Sequence, residues 1–295
     1  MGKCSRAEPV KLMKLVEFMA SEIGIRPFSA PDKLKRVADF LYDHFSDLGY
    51  SVGLQPFVYS KKEYFNVVCS PSGEEPLERA DFPVLVVGAH YDTVGSSPGA
   101  DDNASAVAGL LEIARIFSPD PPRGLRLVAF CLEEPPVFRT RKMGSYRYAS
   151  HLKAIRQSVV GMICLEMIGY FSDTPNSQKF PFPLMRKMFP TTGNFIAMVG
   201  NVKSRDFTLR IKEGFSQGTD LQAVTLNAPA IVIGIDLSDH WSFNRHGIPA
   251  LMVTDTAFYR NPHYHRPTDT PRTLDYVRCA KVVDGIVHAI RDILT

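Results

Sequence analysis

Five short segments of this chain carry residues able to bind a divalent cation. They are GAHYD, with His90 and Asp92; GADDN, with Asp101, Asp102 and Asn103; the pair Glu133-Glu134; CLEMIG, with Glu166; and HYHRPTDT, with His265. Imidazoles together with carboxylates are the donors of hydrolytic zinc sites, and this many of them suits two ions that activate a water molecule. Any one segment alone carries little weight, because isolated histidines and acids are usually surface residues. Their placement carries more. His90, Glu133-Glu134 and Glu166 each directly follow an apolar run that reads as a strand. In open α/β sheets ligands bind beyond the carboxyl ends of strands, so such residues converge if the strands are parallel neighbours.

Each residue type has its own reason to be there. Asp92, two positions after His90, is near enough to accept the second N–H of the imidazole and fix its tautomer. Asp101, Asp102 and Asn103 open a helical pattern, where Asp and Asn also serve as N-caps. The helix dipole keeps a carboxylate ionised at that position, which suits a ligand between two cations. Adjacent side chains of an extended segment diverge, so of Glu133 and Glu134 one can bind metal while the other faces the water as a base. Glu166 ends the apolar run VVGMICL, where an uncompensated carboxylate is costly and a cation is the simplest partner. His265 lies in a Pro- and His-rich loop beside His263. His44, His151, His246 and His288 lack a comparable acidic neighbourhood and read as structural or surface groups, while the role of His240, in SDHW, stays open. Arg245 and Arg260 could meet a substrate carboxylate, although exposed arginines usually have no such task.

The elements that must position these groups follow from periodicity. Leu12, Leu15, Val16, Met19 and Ile23 share a helical face, as do Leu34, Val37, Leu41, Phe45 and Leu48 up to a stop at Gly49. Strands are expected at Phe65–Val68, Val84–Val87, Leu125–Leu132, Met162–Leu165, Phe195–Val199, Ala230–Ile235 and Ala250–Val253. Several are apolar throughout, as in sheets covered on both faces. Ala104 to Phe117 and Tyr276 to Leu294 are helical, and the Pro- and Gly-rich stretches between elements are loops. The fold class is α/β. One domain is expected over 1–295, with N-terminal helices at 9–49 packed on a catalytic core at 60–295.

Composition excludes several functions. The chain has 295 residues, 45% of them apolar, and a net charge of +3 with scattered Lys and Arg, so no nucleic-acid footprint is present. Five cysteines, Cys4, Cys69, Cys131, Cys164 and Cys279, form no CxxC pair; Cys131 and Cys164 sit in apolar runs and read as reduced core residues. Lys11, Lys14 and Glu17 interrupt the N-terminal segment, which reads as an amphipathic helix rather than a signal peptide. No stretch approaches the ~20 apolar residues of a membrane span. A soluble, cytoplasmic protein is expected.

In this order the segments resemble the M28 family of metallopeptidases, the dizinc aminopeptidases of bacterial type. The likeness covers roughly residues 84–280 and includes GAHYDTV, PGADDNASAVAGLLE, the EE pair, Gly144-Ser145 before a helix, SDHWSF with HGIPAL, and YHRPTDT. It implies a three-layer α/β/α sandwich with a central mixed, mostly parallel β-sheet. It implies two Zn2+ ions bridged by Asp102, one completed by His90 and Glu166, the other by Glu134 and His265. Glu133 would be the general base, Asp92 the partner of His90, and Tyr264 a group that helps hold the tetrahedral intermediate. A cis peptide after Asp102 is also implied, as is a peptide substrate with a free N-terminus. The sequence departs from the family pattern twice. Glu166 stands where most such aminopeptidases have Asp, and Pro135 to Met143 is a longer, basic segment that could line the substrate pocket.

The same resemblance brings three rivals. Glutaminyl cyclases share the fold but generally lack the histidine equivalent to His90 and a complete second metal set. The M20 amidohydrolases normally insert a dimerisation domain for which 295 residues leave little room. A catalytically inactive binding protein would have lost ligands, and all five are present here.

Overall fold

The computed structural model describes residues 6–118, 120–229, 231–232 and 234–294; Cys4 lies outside them. Its framework is an eight-stranded sheet in the order β1-β2-β4-β3-β5-β8-β6-β7. The strands are β1 Ser51–Tyr59, β2 Lys62–Ser70, β3 Val84–His90, β4 Leu125–Phe130, β5 Val159–Glu166, β6 Ile196–Asn201, β7 Ala223–Ala228 and β8 Ala250–Thr254. Four pairings are parallel, β3 with β4, β3 with β5, β5 with β8 and β6 with β7, and the other three are antiparallel.

Alternate residues of each strand separate into two buried layers. Leu85, Val87, Leu127, Ile163 and Leu165 pack under helices α1 Pro9–Glu17, α2 Pro31–Asp47, α3 Ala106–Phe117, α5 Arg205–Gly218 and α7 Tyr276–Leu294. Val86, Val128, Phe130, Met162 and Cys164 face the other way, toward helices α4 Gly144–Ala154 and α6 His240–Arg245. The result is the expected three-layer sandwich with a mixed sheet. Leu12, Val16, Leu34, Val37 and Leu41 of the first two helices belong to the same buried cluster as Val87 and Val283. Cys69, Cys131, Cys164 and Cys279 are buried free thiols. Among the described residues, no helix is long and apolar enough to cross a membrane.

The expected strands are present except one. Residues 231–232 and 234–236 form turns, while the strand lies earlier, at β7, followed by Pro229 and by Gly234 at φ +103; Ala230 and Ile233 lie outside the described residues. A proline removes a ladder donor and a positive φ breaks extension, which outweighs the apolar run. β1 carries Pro56 and Gly53, which weaken its pattern, yet it pairs only with β2 at the sheet edge, where a missing N–H is tolerated.

One side chain ties the N-terminal helices to the ends of the strands. The Arg26 guanidinium is fully buried and donates to the main-chain oxygens of Tyr91 at 2.7 Å, Pro98 at 2.8 Å, Gly24 at 3.1 Å, and Met19 and Gly99 at 3.2 Å. It thereby pins the loop between β3 and Asp102. Burial pushes its pKa down to about 10, against the opposing pull of Asp92, Asp269, Asp102 and Glu134, so it stays charged at neutral pH. A lone arginine between two helices gives no signal in sequence. Arg26→Met keeps much of the volume but strands five carbonyls. It should lower the free energy of unfolding by about 3–5 kcal/mol, measured by urea denaturation; a loss below ~1 kcal/mol would contradict the anchoring role.

Candidate active site

β3 and β5 end at His90 and Glu166, and both run parallel to β4, whose chain continues through Cys131 and Leu132 to Glu133 and Glu134. After β4 the chain turns sharply at Leu132, with φ +63. The turn is clamped at its base: Gly144 N–H donates to the Cys131 carbonyl at 2.8 Å, and the Asn66 carboxamide bonds both Gly144 O and Cys131 N–H. A side chain at Gly144 would collide with Asn66 and Cys131, so only glycine fits. The two glutamates therefore diverge from a turn rather than from an extended strand.

Asp92 holds that turn. Its Oδ1 accepts the N–H of Glu133 at 3.0 Å and its Oδ2 that of Glu134 at 3.1 Å. The expected pairing with His90 is corrected in detail. His90 Nδ1 lies 3.1 Å from the main-chain oxygen of Asp92 and 3.6 Å from its Oδ1, so the carbonyl is the hydrogen-bond acceptor. Because a carbonyl only accepts, Nδ1 carries a hydrogen, and Nε2 is the ring nitrogen that faces the site.

Two candidate ligand groups share Asp102. Its Oδ1 is 3.4 Å from His90 Nε2, which is 3.4 Å from Glu166 Oε2. Its Oδ2 is 3.1 Å from His265 Nε2, which is 3.4 Å from Glu134 Oε2. The groups His90–Asp102–Glu166 and Asp102–Glu134–His265 each gather their donor atoms within 4.8 Å of one another. Donors about 2.0–2.1 Å from a tetrahedral zinc stand roughly 3.4 Å apart, so both groups fit such an ion. Among the described residues, Glu134 Oε1 is buried without a hydrogen-bond partner, which suits an oxygen able to bind a cation. Glu133 completes neither group; its Oε2 sits 3.9 Å from His90 Nε2.

The main chain around Asp102 is fixed on every side. The Asp102–Asn103 peptide is cis, as the family likeness implies. Asp269 accepts the N–H groups of Asp101 at 2.9 Å and Asp102 at 3.2 Å. Asn103 spans to β5, accepting Met167 N–H at 2.9 Å and donating to Leu165 O at 3.1 Å. Asp101 caps no helix; it accepts Gly169 N–H, Ser105 Oγ and Asn261 Nδ2. On the other rim, Tyr264 stacks on His265 with ring centroids 3.8 Å apart. Burial and the surrounding carboxylates push the Tyr264 phenol upward, so it remains a protonated donor.

Ser238 was not singled out from the sequence, though SDHW was. Its hydroxyl donates to Glu166 Oε2 at 2.5 Å. Neighbouring Asp239 is fully buried, and burial pushes its pKa up to about 7. His240 bonds the Ile235 carbonyl and joins neither ligand group. Arg260 is not an exposed substrate anchor: it is buried, with Nε on Gln178 and Nη1 on the Phe195 carbonyl. Arg245 is exposed.

A cavity of about 310 Å³ opens beside these carboxylates, lined by Asp102, Glu133, Glu134, Glu166, Tyr264 and His265 at one end. Pro135 and Phe138 of the long basic segment also line it, as do Phe180, Pro181, Met185, Phe189, Phe258 and Tyr259. Arg139, Arg141 and Lys142 of the same segment face solvent.

The site's acids outnumber its positive partners, and their titration reflects it. Burial pushes Glu133 and Glu166 up, only partly offset by His90, and pushes Glu134 up to about 7 with help from Asp102. Burial also opposes ionisation of Asp102, but His265 and His90 outweigh it and hold that carboxyl well below its usual range. Burial lowers both imidazoles; the carboxylates more than reverse this, raising His90 and taking His265 to about 10.

Groups whose folded pKa is raised hold their protons more tightly in the folded chain, so their stabilisation is complete below the unfolded pKa and lost as pH rises through the folded one. Asp102, shifted the other way, has its full effect above an unfolded value near 4 and adds no slope beyond it. With cations stripped by chelator, the melting temperature should therefore fall between about pH 5 and 10, through the region near 7 where Glu134 titrates. Added zinc, which binds the deprotonated ligands, should reverse that slope. A metal-free melting temperature that is flat or rising with pH would contradict these shifts.

The model of peptidase family M28 matches residues 66–290. The chain is 40% identical over 290 residues to "Uncharacterized protein YfbL" of Escherichia coli (strain K12), covering 95% of this chain and 87% of that one. It is 26% identical over 222 residues to "Leucine aminopeptidase 1" of Arthroderma otae, covering 69% of this chain and 53% of the relative, so it spans about half that protein's length. The fold matches BSAP, a zinc aminopeptidase from Bacillus subtilis, with a TM-score of 0.76 at 14% identity, over 99% of this chain and 96% of that one. It also matches a Fimbriiglobus ruber glutaminyl cyclase, with a TM-score of 0.70 at 20% identity, over 99% and 97%. The family match takes in every candidate ligand from His90 to His265, and the chain belongs to peptidase family M28.

Proposed function

We propose that the protein is a zinc-dependent exopeptidase that removes N-terminal residues from peptides. The observation that carries this reading is the division of Asp102, whose two oxygens face separate ligand groups while Glu133 stands beside them uncommitted to either. His90, Asp102 and Glu166 would hold one Zn2+ ion, and Asp102, Glu134 and His265 the other. When bound, the pair would supply Lewis acidity toward a carbonyl oxygen and lower the pKa of a water molecule.

The chain's own groups do the remaining work. Glu133, raised by burial, has the proton affinity to take a proton from water and return it to the leaving amine. Tyr264, kept protonated, donates to the carbonyl oxygen as it gains negative charge. Asp92 fixes the main chain of both glutamates, and Ser238 holds the carboxylate of Glu166. This hydroxyl supports Glu166 as a ligand despite the extra methylene relative to Asp. The carboxylates lining the cavity favour a free α-amine, and its apolar lining favours an apolar first residue.

The test is a panel of leucyl and phenylalanyl anilides, their N-acetylated forms and a glutaminyl peptide. Only the free-amine substrates should release anilide. Glu133→Gln should lower kcat by about 10²–10⁴-fold with little change in melting temperature. Cyclisation of the glutaminyl peptide without hydrolysis of the anilides would favour the cyclase chemistry instead. An undiminished Glu133→Gln rate would remove Glu133 as the base.

A further inference from the structure

The cavity extends farther than an N-terminal residue requires, and strand register shows how. Glu166 at the end of β5 pairs with Thr254 of β8, Thr254 pairs with Ala197 of β6, and Ala197 pairs with Val224 of β7. All four line the cavity. One row of side chains thus crosses the sheet from a candidate metal ligand to the edge strand, over three strand spacings or about 14 Å. A second lining row, Met252, Val199 and Leu226, is paired in the same way and lies alongside.

The trough exists because the helical layer on this face stops short. Residues of α4 and α6 share the buried cluster of this face, whereas α5, the helix that packs on β6 and β7, buries Ile211 and Phe215 on the opposite one. The loop bearing Phe180, Met185 and Phe189 lines the same cavity as these strands. Thr254, Ala197 and Val224 are small, which keeps the floor low.

Apolar protein side chains are a few carbon–carbon bonds of ~1.5 Å long and reach roughly half this distance. An extended alkyl chain, advancing ~1.3 Å per carbon at that bond length, fills it with about ten carbons. We propose that the trough receives the alkyl chain of an acyl amide, and that the site also hydrolyses N-acylated amino acids with acyl groups of about ten carbons. This rests on the hydrolytic reading above. The oxygen of water bonds to the acyl carbon, the C–N bond breaks, and a water proton passes through Glu133 to the departing nitrogen, giving a carboxylic acid and a free amine. Such a substrate has no α-amine for the carboxylates that line the cavity; burial of its methylenes takes the place of that anchor. An N-acetylated leucyl anilide carries the same kind of acyl–nitrogen bond, but its two-carbon acyl group reaches little of the trough, and the bond read in that panel is the anilide, which has no free α-amine beside it.

Two series test the proposal. On the zinc-loaded protein, kcat/KM for N-acylglycines from acetyl to hexadecanoyl should rise ~4-fold per methylene and level off at about ten carbons. On the metal-free protein, calorimetry should show decanoate binding more tightly than hexanoate by a comparable factor per methylene. Val224→Trp, which fills the far end of the trough, should move the break to shorter chains, as should Leu226→Trp. A profile that is flat or peaks at or below six carbons, or decanoate bound no more tightly than hexanoate, would overturn the trough. If alkyl chains bind as expected but no amide is hydrolysed, the acyl-amide activity falls with the hydrolytic reading, while the acyl site itself stands.

Discussion

The site depends on one carboxylate being held between two groups of acids and imidazoles. Asp102 has an oxygen for each, and its position is set by contacts that reach across the chain: Asp269 on its own N–H, Asn103 tied to β5, and Arg26 on the carbonyl of Gly99. If Asp102 moved by an ångström, one of the two donor groups would lose its spacing. The parts that look remote, such as the N-terminal helices carrying Arg26, therefore bear directly on the chemistry.

The second constraint is electrostatic. His90, Asp92, Asp102, Glu133, Glu134 and Glu166 are all buried, and in a medium of low polarity an uncompensated carboxylate is costly. The sheet brings them together because β4, β3 and β5 are parallel neighbours and end on the same side. Tight main-chain turns after β4 and around Asp102 then aim the carboxylates inward. Hydrogen bonds to N–H groups and to Ser238 satisfy part of the charge, and the imidazoles satisfy more. Cations are the remaining partner that the donor types and spacings accommodate, and Arg26 at the back of the site offsets some of the excess without entering it.

Much of this was legible in the sequence because the candidate ligands His90, Glu134 and Glu166, with Glu133 beside them, stand where strands end or just beyond, and strands announce themselves as apolar runs; Asp102 and His265 were assigned through the family resemblance. His90, Asp102, Glu133, Glu134, Glu166 and His265 converge as the segment order implies. The roles that were missed belong to contacts between distant parts of the chain. Arg26 acts through carbonyls, which have no sequence signature. Asp92 could be paired with His90 by proximity, but its bonds to Glu133 and Glu134 depend on how the turn after β4 folds back. Ser238 reaches Glu166 from 72 positions away. β1 and β7 were invisible because edge strands tolerate Pro, Gly and half-exposed residues, and the apolar run after Pro229 suggested a strand that its turn residues forbid. The length of the cavity could not be read at all, since it follows from register across four strands.

The central claim is that Asp102 divides its oxygens between two metal sites. It is tested most directly by titrating zinc into the metal-stripped protein by calorimetry, for the natural chain and for Asp102→Asn. The account predicts two equivalents for the natural chain and weakened binding of both in the variant, because the lost charge belongs to both sites. One equivalent in the natural chain, or a variant that still binds two ions with unchanged affinity, would contradict it.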